Sequence, residues 1–262
     1  MDALLASLAP QALLFLLITA RIGGMLATAP PFAGGTIPVR IKAGLAVVLA
    51  WVALPLTPGA GQQLPTPQAL EIVLLGAKEV LIGVAFGLIV RIVFAAVTYA
   101  GGLIDINAGF ALAQTIDPVS GATISVLGRW YGLVATAVFL AIGGAQWLSA
   151  GIIRSFELVP PLATPDMTAL VAGVAAAADD MLLIAVQIAA PLIVALVITD
   201  VALGLLSKAV PQMNVFIVGL PLKIVVALAG TAILLPSFVT YIETLGMRLL
   251  EDLSSVMRAA GG

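Results

Sequence analysis

The chain has 262 residues, of which 62% are hydrophobic and 9% charged, and its formal net charge is −2. A soluble chain carries about 25% charged residues, so this composition and a mean hydropathy of +1.21 predict an integral membrane protein. The chain contains no His and no Cys, which excludes disulfides, thiolate nucleophiles, HExxH zinc sites and Ser–His pairs. Its charge balance offers no basic surface to nucleic acid. We therefore expect no enzyme, no cofactor and no nucleic-acid partner.

Six apolar segments are long enough to cross a bilayer, for which about 20 residues suffice. In chain order they are residues 11–29, 37–56, 72–100, 122–153, 181–206 and 213–236. Proline and glycine clusters, which favour turns, separate most of them. The start of the chain lacks the basic residues of a cleavable signal peptide, and no soluble domain is expected. The predicted fold class is an all-α membrane protein of about six long hydrophobic helices or helical hairpins.

Two of these segments are longer than a bilayer is thick. Residues 72–100 and 122–153 would form helices of roughly 43 and 48 Å at a rise of about 1.5 Å per residue, whereas the hydrocarbon core measures about 30 Å. Such helices must tilt, break or leave the bilayer, and Gly143 permits a break in the second segment. Pro191 and Pro221 also lie inside apolar segments, and we expect them to bend or break their helices.

The last stretch, residues 238–257, has a different pattern. Its apolar residues recur at spacings of three and four, and acidic and basic residues lie between them. This period is typical of an amphipathic helix, which would lie on a membrane surface or against a partner.

Several ionisable residues lie inside or beside the apolar segments, where each costs about 2.5–3.5 kcal/mol on insertion scales. The candidates for intramembrane or subunit-interface charges are Arg21, Lys78, Glu79, Arg91, Asp200, Lys208 and Lys223. Residues near the start of a segment could also extend their charged ends to the membrane surface. The remaining charges could form ion pairs that only join helices, line a water-filled path, or meet another subunit.

The connection formed by residues 101–121 is unusual in composition. It is too polar and glycine-rich to face lipid, yet too apolar for a free aqueous loop. Irregular backbone at membrane depth survives only inside protein or against a water-filled cavity. Composition alone leaves two alternatives, a buried loop that faces a pore and an ordinary interfacial loop.

Four stretches of the chain, in order, resemble the FliR family of flagellar export-gate proteins, whose counterparts are subunits of virulence type III secretion systems. The most specific motif comprises Pro211, Gln212, Met213, Asn214, Phe216, Gly219 and Pro221, followed by Lys223. The other stretches are the opening from Arg21 to Lys42, the central segment 102–118, and the turn from Ser155 to Pro160. One departure is Ala145, which stands where family members often carry His.

The resemblance implies one FliR-like domain over residues 1–262, whose first part, residues 1–160, resembles FliP and whose last part, residues 161–262, resembles FliQ. Such a subunit closes a helical ring of FliP- and FliQ-like subunits in the bacterial inner membrane, at the flagellar basal body, and the ring projects toward the periplasm. Other implied partners are FlhA- and FlhB-like export components, the unfolded exported proteins and the lipid membrane.

The resemblance also places the central loop inside the closed channel, as a plug. The implied plug residues are Asp105, Asn107, Gly109, Phe110, Leu112, Gln114, Ile116, Asp117 and Pro118. The charges inside the apolar segments then become contacts between subunits rather than a path for protons.

The predicted function is thus a subunit of the flagellar type III protein export gate. The alternatives are the equivalent virulence subunit, a scaffold without pore contact, and an ion-coupled transporter that uses Asp200, Glu79 and Lys223. A transporter would be favoured by inverted repeats with paired broken helices, and the sequence has no convincing internal repeat. It also has no GxxxxGK[ST] phosphate loop, so any use of ATP is expected in a partner.

Overall fold

The structure, a computed structural model, describes residues 2–34, 37–57, 68–110, 125–212 and 214–261. These residues form seven α-helices, one 3-10 turn at Leu54–Leu56 and no strand. The helices are α1 (Asp2–Thr28), α2 (Val39–Ala53), α3 (Ala69–Ala108), α4 (Val126–Ala141), α5 (Gly144–Leu158), α6 (Met167–Ala209) and α7 (Val215–Gly261). Within the described part, five helices are long and apolar enough to cross a membrane, or six if α4 and α5 count as one broken span. The predicted all-α membrane fold is confirmed.

The helices divide between two compact units. The first unit comprises Met1–Ile92, Ile142–Ala178 and Gly246–Gly262, and the second comprises Val93–Ala141 and Asp179–Leu245. The long helices α3, α6 and α7 each contribute one segment to each unit.

Helix α3 corrects the sequence prediction for residues 101–121, because it continues to Ala108 over 40 residues. The first eight residues of the expected loop are therefore helical. Polar residues there do not require a loop, since they find partners within or beside the helix. The Asn107 amide donates to the Leu103 carbonyl one turn earlier, at 2.8 Å, and the Asp105 carboxylate accepts hydrogen bonds from the start of α4.

Helices α6 and α7 run through their prolines, so of the bend or break that the sequence predicts at Pro191 and Pro221, the break does not occur. The separation of residues 213–236 from an amphipathic helix at 238–257 is also wrong, because α7 is continuous over 47 residues and includes Pro236. A proline removes one backbone donor, and membrane helices tolerate this loss where neighbouring groups satisfy the freed carbonyl. The amphipathic pattern itself persists at the end of α7.

A break does occur in the segment 122–153, between α4 and α5. Gly143, which precedes α5, has φ +87, a left-handed conformation that glycine adopts without the strain of a Cβ. The continuous 32-residue helix that the segment could have formed is thus divided into helices of 16 and 15 residues.

In the first unit, glycines bring α1 and α3 into backbone contact. A Cβ placed on Gly83 would overlap the carbonyl oxygen of Arg21, and one on Gly24 would lie 2.6 Å from the carbonyl oxygen of Val80. A Cβ placed on Gly87, one turn beyond Gly83, would overlap the hydroxyl oxygen of Thr28. Small residues at this spacing allow membrane helices to pack closely, so the Gly83–Gly87 pair positions α1 along α3.

The second unit has its own apolar core, built from the end of α3, from α4, and from parts of α6 and α7. Tyr131 on α4 meets Phe238 on α7 edge-on, with ring centroids 4.9 Å apart. Gly101 and Gly128 allow α3 and α4 to cross closely, because a Cβ on Gly101 would lie 2.5 Å from the Gly128 Cα.

We predict that Gly83→Ala lowers the free energy of unfolding by about 1–3 kcal/mol, as overpacking of a close contact does. Gly76→Ala on the same helix is the matched control, because a Cβ there meets nothing within 4 Å. That control should be neutral or stabilising by up to about 1 kcal/mol, the helix preference of Ala over Gly. Thermal unfolding in detergent, followed by circular dichroism, measures both; equal shifts would contradict the close crossing of α1 and α3.

Candidate functional site

A buried charged cluster lies in the first unit, where three helices meet. Arg21 on α1 and Glu79 on α3 are both 0% exposed. The Arg21 Nε atom donates to Glu79 Oε2 at 2.6 Å. Both residues are among the costly intramembrane charges that the sequence predicts, and the structure joins them to each other across 58 residues of chain.

The rest of the Arg21 guanidinium binds the end of α5. Its Nη1 atom donates to the Ser155 carbonyl at 2.9 Å and to the Ser155 hydroxyl at 3.1 Å, and Nη2 donates to the Val159 carbonyl at 2.8 Å. The last carbonyls of a helix have no partners within the helix and carry partial negative charge. Arg21 therefore caps α5, and its Cζ atom also lies 4.4 Å from the centroid of the Phe156 ring.

Lys78 extends the cluster to the turn after α5. Its ammonium donates to the Pro161 carbonyl at 2.5 Å and to the Ala163 carbonyl at 2.8 Å. It also lies 3.2 Å from Glu79 Oε1. That oxygen accepts no hydrogen bond from a described atom, so the contact is electrostatic. Two cations thus share one carboxylate, and backbone carbonyls supply the remaining negative charge.

A second charged pair, formed by Lys223 on α7 and Asp200 on α6, lies in the second unit. The Lys223 Nζ atom is 2.9 Å from the Asp200 carboxylate. The Asp200 side chain is 52% exposed and the Lys223 side chain 19%. Around the pair, α6 and α7 carry exposed Val197, Val201 and Leu222. An ion pair set in an exposed apolar surface needs lipid headgroups, water or another protein around it.

Asp105, in the second unit, caps the first turn of α4. It is 3% exposed, and its carboxylate accepts hydrogen bonds from the Ser125 hydroxyl at 2.5 Å and from the Leu127 amide at 3.1 Å. The Ser125 hydroxyl in turn accepts from the Gly128 amide at 2.8 Å, as an N-cap residue does. The end of α3 and the start of α4, which flank residues 109–124, are therefore tied together.

Beside this tie, Gly109 has φ +88 and lies against Leu220 of α7, and Phe110 packs on the apolar core of the second unit. Sequence analysis also assigned to the plug five residues that lie outside the described part of the chain: Leu112, Gln114, Ile116, Asp117 and Pro118.

The remaining predicted charges have no such partners. Arg91 and Lys208 are exposed, and the described residues offer neither of them an ion pair. Lys208 lies in the last turn of α6, where a cation favours the helix dipole. The structure thus brings together two groups, Arg21–Lys78–Glu79 and Asp200–Lys223, and leaves Arg91 and Lys208 apart from both.

The motif from Pro211 to Pro221 surrounds the start of α7. Asn214 is the residue before the helix, and its side-chain oxygen accepts from the Ile217 amide at 3.4 Å. Pro211 and Gln212 are exposed in the preceding turn, and Gly219 is buried in the first turns of the helix. Met213 lies outside the described part of the chain. An asparagine before an apolar helix is a start signal, so this residue's local role follows from the sequence.

The roles of Ser125 and Ser155 in these contacts are not among the predictions from the sequence. Ser125 lies just before an apolar helix, which is the position of an N-cap serine, so its local role could have been predicted. No sequence signal would have paired Ser155 with Arg21, because their contact depends on where α1 and α5 meet. The described residues hold no group of three or more His, Cys, Asp or Glu side chains placed to bind a metal ion.

The family model described as "Bacterial export proteins, family 1" matches residues 12–248 of the chain. The flagellar biosynthetic protein FliR of Bacillus subtilis is 31% identical over 254 residues, which cover 94% of this chain and 95% of that protein. FliR of Escherichia coli is 29% identical over 90% of both chains. The surface presentation of antigens protein SpaR of Salmonella typhimurium is 28% identical over 72% of this chain and 69% of that protein.

We predict that Glu79→Met lowers the free energy of unfolding by about 3–5 kcal/mol, because it leaves the buried Arg21 without its carboxylate. Arg21→Met should also be destabilising, but by less, because Lys78 stays beside Glu79. The double variant should lose clearly less than the sum of the two. Arg129→Met is the control, since Arg129 is exposed and has no ion pair within the described residues. Thermal unfolding and the yield of detergent-extracted protein measure all four; additive losses in the double variant would show that the pair does not act as a unit.

Proposed function

The chain belongs to the FliR family of bacterial export proteins, and we propose that it is a subunit of the flagellar type III protein export gate. The observation that carries this proposal is the extent of the match: the B. subtilis FliR relative is aligned over 94% of the chain. Since the family is an export-apparatus component, the proposed role is structural, a part of a channel rather than an enzyme.

The flagellar system fits better than a virulence system. FliR relatives from B. subtilis and E. coli each align over at least 90% of this chain. SpaR relatives from Salmonella and Shigella align over 72% and 58%. The more complete match supports export of flagellar proteins and assembly of the flagellum.

The proposed partners are FliP- and FliQ-like subunits in a helical hetero-oligomer, with FlhA- and FlhB-like export components and the exported chains. What supports partners in general is the amount of apolar surface that the chain leaves open. Only 22% of the candidate membrane window of α6 and 17% of that of α7 are buried inside the chain. Apolar faces of this extent require lipid or other helices.

We place the subunit in the bacterial inner membrane, at the flagellar basal body, with part of the assembly projecting toward the periplasm. Helix length supports the projection. Helices of 40, 43 and 47 residues extend roughly 60–70 Å, about twice the thickness of the hydrocarbon core.

The proposed division of the chain into a FliP-like part, residues 1–160, and a FliQ-like part, residues 161–262, falls in the turn between α5 and α6. The second part then consists of two long helices, α6 and α7, joined by the motif that begins at Pro211. The charge pair Asp200–Lys223 lies on α6 and α7, on either side of this motif, and is proposed to meet a neighbouring subunit.

We further propose that residues 105–118 close the channel at rest. Two observations support this role: the mixed polar and apolar composition of the segment, and the hydrogen bonds from Ser125 and Leu127 to Asp105 that hold its flanks together. In this proposal the tie stays formed while the residues between its ends move aside for an exported chain.

In a flagellated host strain without its own copy of the gene, we predict that the intact chain restores export of flagellar proteins and co-purifies with the FliP- and FliQ-like subunits. Lys223→Leu should reduce co-purification severalfold, because it leaves the Asp200 carboxylate unpaired in an apolar surface. Arg129→Leu, at an exposed arginine with no ion pair within the described residues, is the control. Normal complex yield with export lost in Lys223→Leu would assign Lys223 to the conduction path instead, and failure of the intact chain to support export would overturn the proposed function.

Deletion of Phe110–Gln114 should leave a complex that assembles but conducts small ions. The deletion spares Asp105 and Ser125, so the tie at the base of the segment and the motif from Pro211 to Lys223 serve as internal controls for folding. Ion flux into vesicles that carry the purified complex measures the leak. An assembled deletion complex with the conductance of the intact one would return the segment to an interfacial role.

A further inference from the structure

A cavity of about 200 Å³ lies within the first unit, between α3, α5 and the end of α7. Its lining includes Phe86, Trp147, Arg154, Leu158, Leu250 and Met257. No residue of the proposed gate segment or of the two charged pairs belongs to it, so the export function described above leaves it unassigned.

The interior of the cavity is apolar. Phe86 and Met257 are each 1% exposed and form part of its wall together with Leu253. Apolar cavities of about 150 Å³ stay dry and take up small hydrocarbons such as benzene, because water there would lack hydrogen-bond partners. At about 200 Å³ this cavity is therefore large enough for a stretch of hydrocarbon chain, and its volume is too small to enclose a turn of helix with a diameter of about 10–12 Å.

One cation, Arg154, is among the residues that line the cavity. Arg154 is exposed and makes no hydrogen bond or ion pair within the described part of the chain. Arg258 lies one turn beyond the rim residue Ser254 and donates to its hydroxyl at 3.1 Å. Glu157 and Glu251 are also exposed nearby in sequence, yet no described ion pair joins either of them to Arg154.

Trp147 and Arg154 lie on the same face of α5 and both line the cavity. Tryptophan and basic residues together are typical of the membrane–water interface, where a guanidinium binds phosphate through charge-assisted hydrogen bonds. An apolar cavity beneath an unpaired cation thus has the two features that an anionic lipid requires, a place for hydrocarbon and a place for phosphate.

We propose that the cavity binds one acyl chain of an anionic phospholipid, whose phosphate pairs with Arg154. This bound lipid would fill the space between α5 and the end of α7 in the first unit. A zwitterionic lipid offers the same hydrocarbon and a phosphate, but its own choline cation balances that phosphate. Its net attraction to Arg154 is weaker, so we expect the site to prefer an anionic headgroup.

Tryptophan fluorescence tests the site directly. The full chain carrying Trp51→Phe and Trp130→Phe, purified in detergent, retains Trp147 as its one tryptophan. Phosphatidylglycerol with brominated acyl chains should quench Trp147 saturably, with an affinity about fivefold higher than brominated phosphatidylcholine, the scale of an exposed ion pair. Arg154→Gln should abolish this preference, whereas Arg129→Gln, which alters an exposed arginine outside the cavity, should retain it.

A variant that fills the cavity distinguishes quenching by a lipid bound inside it from quenching by lipid elsewhere in the micelle. Ala150→Leu places a larger side chain into the lining and should reduce quenching by both lipids, and Gln146→Leu on the same helix, outside the lining, should not. Native mass spectrometry should then show phosphatidylglycerol retained by the intact chain and lost from Ala150→Leu. Equal quenching by the two lipids in the intact chain, or unchanged quenching in Ala150→Leu, overturns the proposal. The proposal also fails if Trp147 is not quenched by either lipid when the chain is assembled with partner subunits.

Discussion

The burial of Arg21 is the constraint on which the first unit depends. A guanidinium that is 0% exposed must find partners for its donors inside the protein, since an uncompensated buried charge costs several kcal/mol. Its partners come from α3 and from the end of α5. The three elements can meet only because Gly83 lets the α1 backbone approach α3 beside the arginine. The ion pair between Arg21 and Glu79 therefore depends on the close glycine contact between α1 and α3.

The broken segment α4–α5 is capped at both outer ends by charged residues from other helices. A carboxylate, Asp105, binds the first amides of α4, and a guanidinium, Arg21, binds the last carbonyls of α5. Each charge has the sign that the helix dipole favours at that end. A short helix at membrane depth cannot leave its terminal groups unsatisfied. These two residues satisfy the outer ends of the segment, and the division itself lies at Gly143, whose left-handed backbone only glycine adopts without strain.

Internal packing covers only a small part of the two longest helices. Helices α6 and α7 are held together by Asp200–Lys223 and by the hydrogen bond from the Tyr241 hydroxyl to Gln187, at 2.7 Å. Much of their apolar surface nevertheless remains open. A chain whose own core covers so little of two helices is suited to close a ring of similar helices, the role proposed for it, and it is poorly suited to work alone in water.

By itself, the sequence determined the class of protein, most of the helices and the family, because hydropathy and local motifs depend on residues near one another in the chain. It allowed a break near Gly143, as one alternative to a tilted helix, and it predicted the cost of burying Arg21 and Glu79. It misplaced one helix end, because it predicted a loop at residues 101–108, and it allowed breaks at Pro191 and Pro221 where the helices are continuous. Whether a polar or proline residue ends a helix depends on whether distant groups satisfy the backbone. Only the tertiary structure decided where these helices end. It also decided that Arg21 would meet Glu79 and Ser155, because such partners depend on where helices cross and not on a local sequence pattern.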